Sequence, residues 1–373
     1  MTNIVVLGAG VTGLTVAHEL LQNPNNKVTI VSKNFPTDFK IDKCYTSPIA
    51  GANWQSFASN DDKFVQNIDT IGYKKFKKLI KNNPECGVTN RKNRNYITKL
   101  KFDKEMKGEK EFPWFSDNSK LDCNFRELDQ NELIDGMAYG FEYDGFVIRT
   151  SYYLTFLINQ MWKISGYEKN NFFNGIPGVK SNSRLSLRRK SVSSLAEAKN
   201  YHHLGKADLV INCAGLAARE LADLEESEKL KLKPIRGVVF VAENNVGLDR
   251  ITIVETGDDE PEHEELYIMP RREGELIIGG CFQVGNESQD VDSALKDRIL
   301  GRCKKYLTQY NWDQIKIVRE QVGFRPYREG GYRIQRIGNI IHCYGMAGAG
   351  FQSSWGCAQQ VLKLTNEEVK AKL

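Results

Sequence analysis

The chain has 373 residues, 40% of them hydrophobic and 27% charged, and its 52 basic and 47 acidic side chains leave a formal net charge of +5. This length carries a large core and two domains, and the composition is that of a globular protein rather than a disordered one. The small charge surplus excludes a chain tuned to nucleic acid or to an anionic membrane, no apolar run nears the ~18 residues of a membrane span, and the eight cysteines form no CxxC pair, which excludes a zinc ribbon or a redox dithiol.

Ile4 to Leu7 reads as a buried strand. Gly8-x-Gly10-x-x-Gly13 turns it into a helix reaching about Leu21, with Val11 and Thr12 in the first turn. Gly8 permits the tight turn, Gly10 lets backbone approach a pyrophosphate, and Gly13 lets helix and strand pack closely. The helix N-terminus then offers unpaired N–H groups to phosphate. Glycines interrupt this apolar stretch and no basic segment precedes it, so a strand and a helix are expected rather than a signal peptide. Gln22 to Asn26 is a turn with Pro24, and Val28 to Val31 is the next strand.

Residues 60–135 are polar, lysine-rich and without a strong period. They read as surface helices and loops, including a helix over Phe64–Asn82. Val147–Ile164 reads as one long amphipathic helix. Lys180–Lys190 is basic without interleaved aromatics, so it reads as a solvated strand edge. Ala207–Ala214 is a strand ending in Gly215. Val238–Ala242, Leu266–Met269 and Glu275–Gly280 belong to a second sheet. Asp258–Glu265, with six acids, reads as a solvated hairpin tip. Asn339–Tyr344 is a late strand, followed by Gly345, Gly348 and Gly350 and a helix over Trp355–Leu364. Ala371-Lys372-Leu373 is a close variant of the Ser-Lys-Leu address, so an import receptor and the peroxisome matrix are expected.

This order predicts an α/β fold: a dinucleotide domain from 1–57, 145–232 and 310–373, interleaved with an α+β domain from 58–144 and 233–309 on a mostly antiparallel sheet. The fingerprint does not say which dinucleotide is held. NAD enzymes usually place an acid after the second strand, where this chain has Ser32-Lys33-Asn34. Lys33 suits the 2′-phosphate of NADP or the adenosine of FAD. Two small-residue loops suit close approach of a flat ring. One is Tyr45–Trp54, with Thr46, Ser47, Gly51, Ala52 and Asn53. The other is Tyr344–Gln352, with Gly348, Ala349, Gly350 and Phe351, whose glycine turn enters a helix and forms a second anion site.

Six stretches carry a resemblance: TSPIAGANW, KPIRG, YIMPR, GGCFQVGN, VGFRPYREGG and CYGMAGAGFQSSWGCA. In this order they are similar to successive motifs of the D-amino acid oxidase / D-aspartate oxidase family. PECG and the Tyr-x-x-Pro-Arg form resemble its fungal branch. The resemblance implies a Rossmann-like domain with tight, non-covalent FAD, a substrate domain, and a peroxisomal address. It implies oxidative deamination of a D-amino acid, with hydride passing to flavin N5 and O2 reoxidising the flavin to give hydrogen peroxide.

By the same resemblance, Arg325 holds the substrate carboxylate, for which a guanidinium fork is suited. Tyr267 helps to hold it, the Gly348 carbonyl accepts from the amine, and Gln352, Asn53 and Trp54 lie near the flavin. The backbone of Val192, in a strand before Ser193-Ser194, meets the adenine. Phe282 stands where the fungal oxidases have a second tyrosine and mammalian-type aspartate oxidases an arginine. It implies an apolar pocket wall and neutral substrates. Arg250, Arg271 or Arg272 leaves a D-aspartate/D-glutamate oxidase as the alternative. Beyond it stand an NADP-dependent reductase and a non-catalytic flavin-binding protein. A homodimer is left open.

Overall fold

The computed structural model describes residues 1–38, 44–166, 183–257 and 263–371. The chain divides into two compact units. The first is Met1–Pro48, Ser151–Pro234 and Arg325–Leu373; the second is Ile49–Thr150 and Ile235–Phe324. The sequence reading sets its boundaries at 57, 144, 232 and 309.

The first unit holds a six-stranded sheet of β1 (Thr2–Leu7), β2 (Asn26–Ser32), β6 (Leu185–Arg189), β7 (Leu209–Asn212), β14 (Arg333–Ile337) and β15 (Ile340–Tyr344). Its order is β14-β15-β7-β1-β2-β6, parallel except for the β14–β15 hairpin. Ile4, Val5, Val6, Val28 and Ile30 are fully buried, as a parallel strand covered on both faces requires. The helix Val11–Leu20 packs against the helix Gly350–Ala371.

Several expected bounds move. The strand expected over Ala207–Ala214 covers Leu209–Asn212. The C-terminal helix begins at Gly350 rather than Trp355, because the glycine turn feeds straight into it. Arg188 and Arg189 do lie on an edge strand, but residues 180–182 lie outside the described residues. So do Lys372 and Leu373 of the terminal tripeptide. Among the described residues, no helix is long and apolar enough to cross a membrane.

The second unit is built on a nine-stranded, mostly antiparallel sheet. Its strands are β3 (Val88–Thr98), β4 (Arg126–Glu127), β5 (Met137–Ile148), β8 (Leu232–Glu243), β9 (Ile251–Glu255), β10 (Glu264–Pro270), β11 (Glu275–Cys281), β12 (Gln283–Val284) and β13 (Ile317–Arg328). The order is β12-β8-β11-β10-β9-β3-β5-β4, with β13 beside β8; β3 and β9 run parallel, and β3 and β5 antiparallel. Alternate residues of β8, β10 and β11 serve two faces. Val238, Phe240, Leu266, Ile268, Leu276 and Ile278 pack with Leu295, Ile299 and Cys303 of the helix Ser293–Tyr306. Val239, Val241, Tyr267, Met269 and Ile277 form a second apolar face with Ile253 and Val147.

Residues 60–135 are more than surface helices and loops. The helix Lys63–Asn82 is there, with the Asp62 carboxylate accepting from the Val65 N–H at 3.0 Å. But β3, VTNRKNRNYIT, is a central strand. The polar residues of its second half, Asn93, Arg94, Asn95 and Thr98, are buried with partners: Arg94 donates to Glu142 at 2.8 Å and Glu132 at 3.1 Å, and Asn93 donates to the Tyr143 hydroxyl. Cross-strand pairing therefore replaces the apolar alternation that would have revealed the strand. The expected helix Val147–Ile164 begins at Thr150, since Val147 and Ile148 end β5. In the acidic stretch, residues 258–262 lie outside the described residues, and Glu264 is no solvated tip. It is buried, accepting from Arg302 at 2.6 Å and Arg298 at 2.8 Å.

Candidate active site

In the first unit the glycine fingerprint is enforced by backbone. Gly8 has φ +107°, and a Cβ there would stand 2.5 Å from the Cys213 carbonyl oxygen. A Cβ on Gly13 would stand 2.1 Å from the Gly8 carbonyl oxygen. Gly10 caps the helix Val11–Leu20 without a side-chain cap, and no acid lies in the first turn, which includes Thr12. Ser47 closes over this end: its Oγ accepts from the Val11 N–H at 3.0 Å. Tyr45 anchors the segment, with its buried hydroxyl donating to the Ala9 carbonyl at 2.9 Å. Thr46, between them, is half-buried.

The remaining first-unit positions fall into two groups. One surrounds the second glycine turn. Gly350 lies against Val11, with a Cβ placed 3.7 Å from Val11 Cγ1. Pro326, next to Arg325, passes the positive-φ turn at Gly215, and Tyr327 bridges Met346. Arg325, half-buried on β13, is thereby brought to the loop holding Gly348, Ala349 and Gly350. Gly348 is exposed, whereas the side chains of Ala349, Phe351 and Gln352 are buried. The other group lies at the ends of β2 and β6: Ser32, whose carbonyl accepts from the Lys190 N–H at 3.0 Å, exposed Lys33, and Val192. Val192 is not in a strand. Strand β6 ends at Arg189, and Val192 sits in the following loop, half-buried on the core. Arg189 pairs with Asp38 at 2.6 and 2.7 Å and holds its carboxyl below the usual range.

In the second unit, Ala52 to Trp54 runs along β5. The Ile148 N–H donates to the Ala52 carbonyl at 2.8 Å, Trp54 N–H to the Phe146 carbonyl at 3.0 Å, and Asn53 bridges Val147. Asn53 Nδ2 is buried and has no hydrogen-bond partner among the described residues. A buried amide donor left open costs stability, so a ligand acceptor is the natural complement. Trp54 is fully buried among Tyr73, Phe115 and Tyr143, and its indole donates to the Asp69 carbonyl at 3.2 Å.

Tyr267 is buried on the second apolar face, its ring over Gly279 and Gly280. A Cβ at these glycines would stand 2.3 Å from Tyr267 Cζ and 2.4 Å from its hydroxyl oxygen. Phe282 meets Tyr267 edge-on at 6.3 Å between centroids. The structure thus joins Tyr267 and Phe282 on one wall, with Val147 in the same cluster carrying the Asn53 bridge.

Three roles escaped sequence reasoning: the Tyr45 anchor, the close approach of Tyr267 to the glycine pair, and the hold of Arg271 on backbone, which the sequence offered only as a partner for an acidic substrate. Arg271 is buried, donates to the Gly51 and Ala50 carbonyls, and lies 3.5 Å from Glu275. Burial pushes its pKa down to about 10. The glycine pair was the legible signal, since two adjacent strand glycines mark a close approach.

Comparison with known proteins adds independent weight. Residues 181–364 match the family described as FAD dependent oxidoreductase. The chain is 31% identical to a D-amino-acid oxidase of Fusarium vanettenii, covering 99% of this chain and 98% of that one. It is 24% identical to a D-aspartate oxidase of Talaromyces thermophilus, over 97% and 94% of the two chains. A glycine oxidase from Bacillus cereus shares the fold with a TM-score of 0.71 at 15% identity, over 99% and 96% of the chains. The glycine cradle of the first unit fits FAD, which is the cofactor. The chain is an amino-acid-oxidising enzyme and belongs to the D-amino-acid oxidase family of FAD-dependent oxidoreductases.

Proposed function

We propose that this enzyme deaminates neutral D-amino acids to 2-oxo acids and ammonia, with hydrogen peroxide as the product of O2. Bound FAD supplies the two-electron acceptor for the substrate's α-hydrogen and passes the electrons to O2. The chain's own residues bind and orient. The Arg325 guanidinium takes the α-carboxylate and the Tyr267 hydroxyl donates to it. The exposed Gly348 contributes its carbonyl to the amine. No histidine of the first unit is placed as a base. His18 is beside Glu19, His202 binds the Lys27 carbonyl, His203 meets Thr29, and His342 meets Asn212. Burial pushes His202 and His342 down to about 4, so both are neutral at pH 7.

The observation that carries the neutral preference is the state of the three arginines named above as partners for a side-chain carboxylate. Arg250 pairs with Asp249 at 3.0 Å, Arg271 holds the Ala50 and Gly51 carbonyls, and Arg272 donates to the Pro84 carbonyl at 3.3 Å. Phe282 adds an apolar edge beside Tyr267. Oxygen uptake with D-alanine, D-methionine and D-aspartate tests the proposal. We expect kcat/KM to favour the neutral substrates by at least about tenfold, the worth of one unpaired buried charge contact at the low end; a preference for D-aspartate overturns it in favour of a D-aspartate oxidase.

We also propose that Ala371-Lys372-Leu373 directs the enzyme to the peroxisome, where peroxide production has a chemical rationale. Fusing a tag after Leu373 should leave the enzyme cytosolic; continued import rejects this address.

A further inference from the structure

Arg271 spends a buried guanidinium on backbone. Its Nε donates to the Gly51 carbonyl at 2.9 Å and its Nη2 to the Ala50 carbonyl at 3.0 Å. Its own N–H donates to the Glu275 carbonyl at 2.8 Å, which closes the turn between β10 and β11. The Glu275 carboxylate balances it at 3.5 Å and is shared with Arg149 and Arg319, each at 3.6 Å. Burying a guanidinium is costly, and this one gains no carboxylate fork in return. What it fixes is a short loop. Gly51 is pressed against Met269, a Cβ there reaching 2.9 Å from Sδ. Directly after it, Ala52 and Asn53 lock onto β5, and Asn53 carries the open buried amide.

We propose that Arg271 is a positioning residue for the flavin: by holding the Ala50 and Gly51 carbonyls it sets the place of the Ala52–Asn53 backbone and aims the Asn53 amide. The proposal rests on the reading that this loop meets FAD. Two roles are thereby separated on one strand of sequence, YIMPR: Tyr267 faces substrate, while Arg271 faces the loop and touches neither substrate nor cofactor.

The test uses the purified full chain stripped of FAD and retitrated. The dissociation constant is read by quenching of flavin fluorescence, with the visible absorption spectrum recorded at saturation. Arg271→Met should weaken FAD binding about tenfold and shift the flavin absorption bands. Arg271→Lys keeps the charge and should recover part of the affinity, which a purely volumetric role would not allow. Asn53→Ala should shift the bands in the same direction. If Asn53→Ala changes affinity and spectrum while both Arg271 variants bind FAD as the parent does, the positioning role is overturned and the loop reading stands. If neither residue's substitution moves either readout, the loop reading itself falls. Should Arg271→Met fail to fold, Arg271→Lys decides alone: parental affinity and spectrum overturn the proposal, and a weakened, shifted flavin supports it.

Discussion

In the first unit, the glycines of the fingerprint face backbone: Gly8 meets the Cys213 carbonyl and Gly13 meets the Gly8 carbonyl. In the second unit, Gly279 faces a side chain, the ring of Tyr267, and Gly280 faces both the Tyr267 hydroxyl and the Val238 carbonyl. Backbone fixed at the end of a packed strand cannot retreat, whereas a tyrosine has rotamers to try. The first arrangement makes a rigid cradle whose shape is the condition for holding a dinucleotide at all. The second makes a wall whose composition can drift, and with it the side chain that the enzyme accepts. The same fold therefore keeps its cofactor and varies its substrate.

The sharpest break in that contrast is Gly13→Ala. Its Cβ would stand 2.1 Å from a carbonyl oxygen, so helix and strand must separate. We expect colourless protein with FAD affinity lowered by at least about 100-fold, roughly 3 kcal/mol, measured from absorbance after purification. Gly10→Ala tests the other cause of loss. Its Cβ would meet Ser47 Oγ at 3.0 Å, a side chain that can turn, so helix and strand stay packed and FAD affinity falls only through the lost backbone approach to the pyrophosphate. A melting temperature lowered equally by both substitutions would break the distinction between backbone and side-chain clashes. Next in size is Arg325→Leu, which leaves a substrate carboxylate without its charge partner. KM for D-alanine should rise about 100-fold with FAD retained. An unchanged KM removes Arg325 from the site.

What was legible in the sequence follows the same line. Gly8 and Gly13 were readable because a backbone clash admits no other residue, so these two positions of the motif explain themselves. Apolar strands such as Ile4–Leu7 were readable because both their faces are covered. Strand β3 was not, because its buried Arg94 is satisfied by Glu142 and Glu132, which come from elsewhere in the chain. The surroundings of Trp54 were not legible either. It stands next to Asn53, but successive strand residues point to opposite faces, and Trp54 points into an aromatic core. Arg271 was visible only as a cation of unknown aim. Its partners are two carbonyls, and carbonyls leave no mark on a sequence.

The wall of the second unit offers a graded pair. Gly279→Ala should keep the flavin and displace the Tyr267 ring together with its hydroxyl. Tyr267→Phe removes the hydroxyl alone. We expect KM to rise about tenfold for Tyr267→Phe, the value of one hydrogen bond to a charged group, and further for Gly279→Ala. If Gly279→Ala instead releases FAD, the second unit is as intolerant as the first and the contrast fails.

The smallest effect separates the units by pH. In the first unit, burial holds His202 and His342 near 4, below the usual histidine value of 6.5. The unfolded chain then binds more protons than the folded one between these values. Stability is fully present above pH 6.5 and falls as pH drops toward 4. In the second unit, Arg126 holds Glu132 down to about 2 against an ordinary 4.5. That contribution is present above 4.5 and is lost only as pH falls toward 2. Melting temperature followed from pH 8 to 4 should therefore decline first through the first unit's histidines. His342→Gln removes one titrating group, and its curve should be flatter than the parent's between pH 6.5 and 4. Identical slopes would mean that burial of His342 carries no linkage, and the acid sensitivity would have to be sought among the carboxylates.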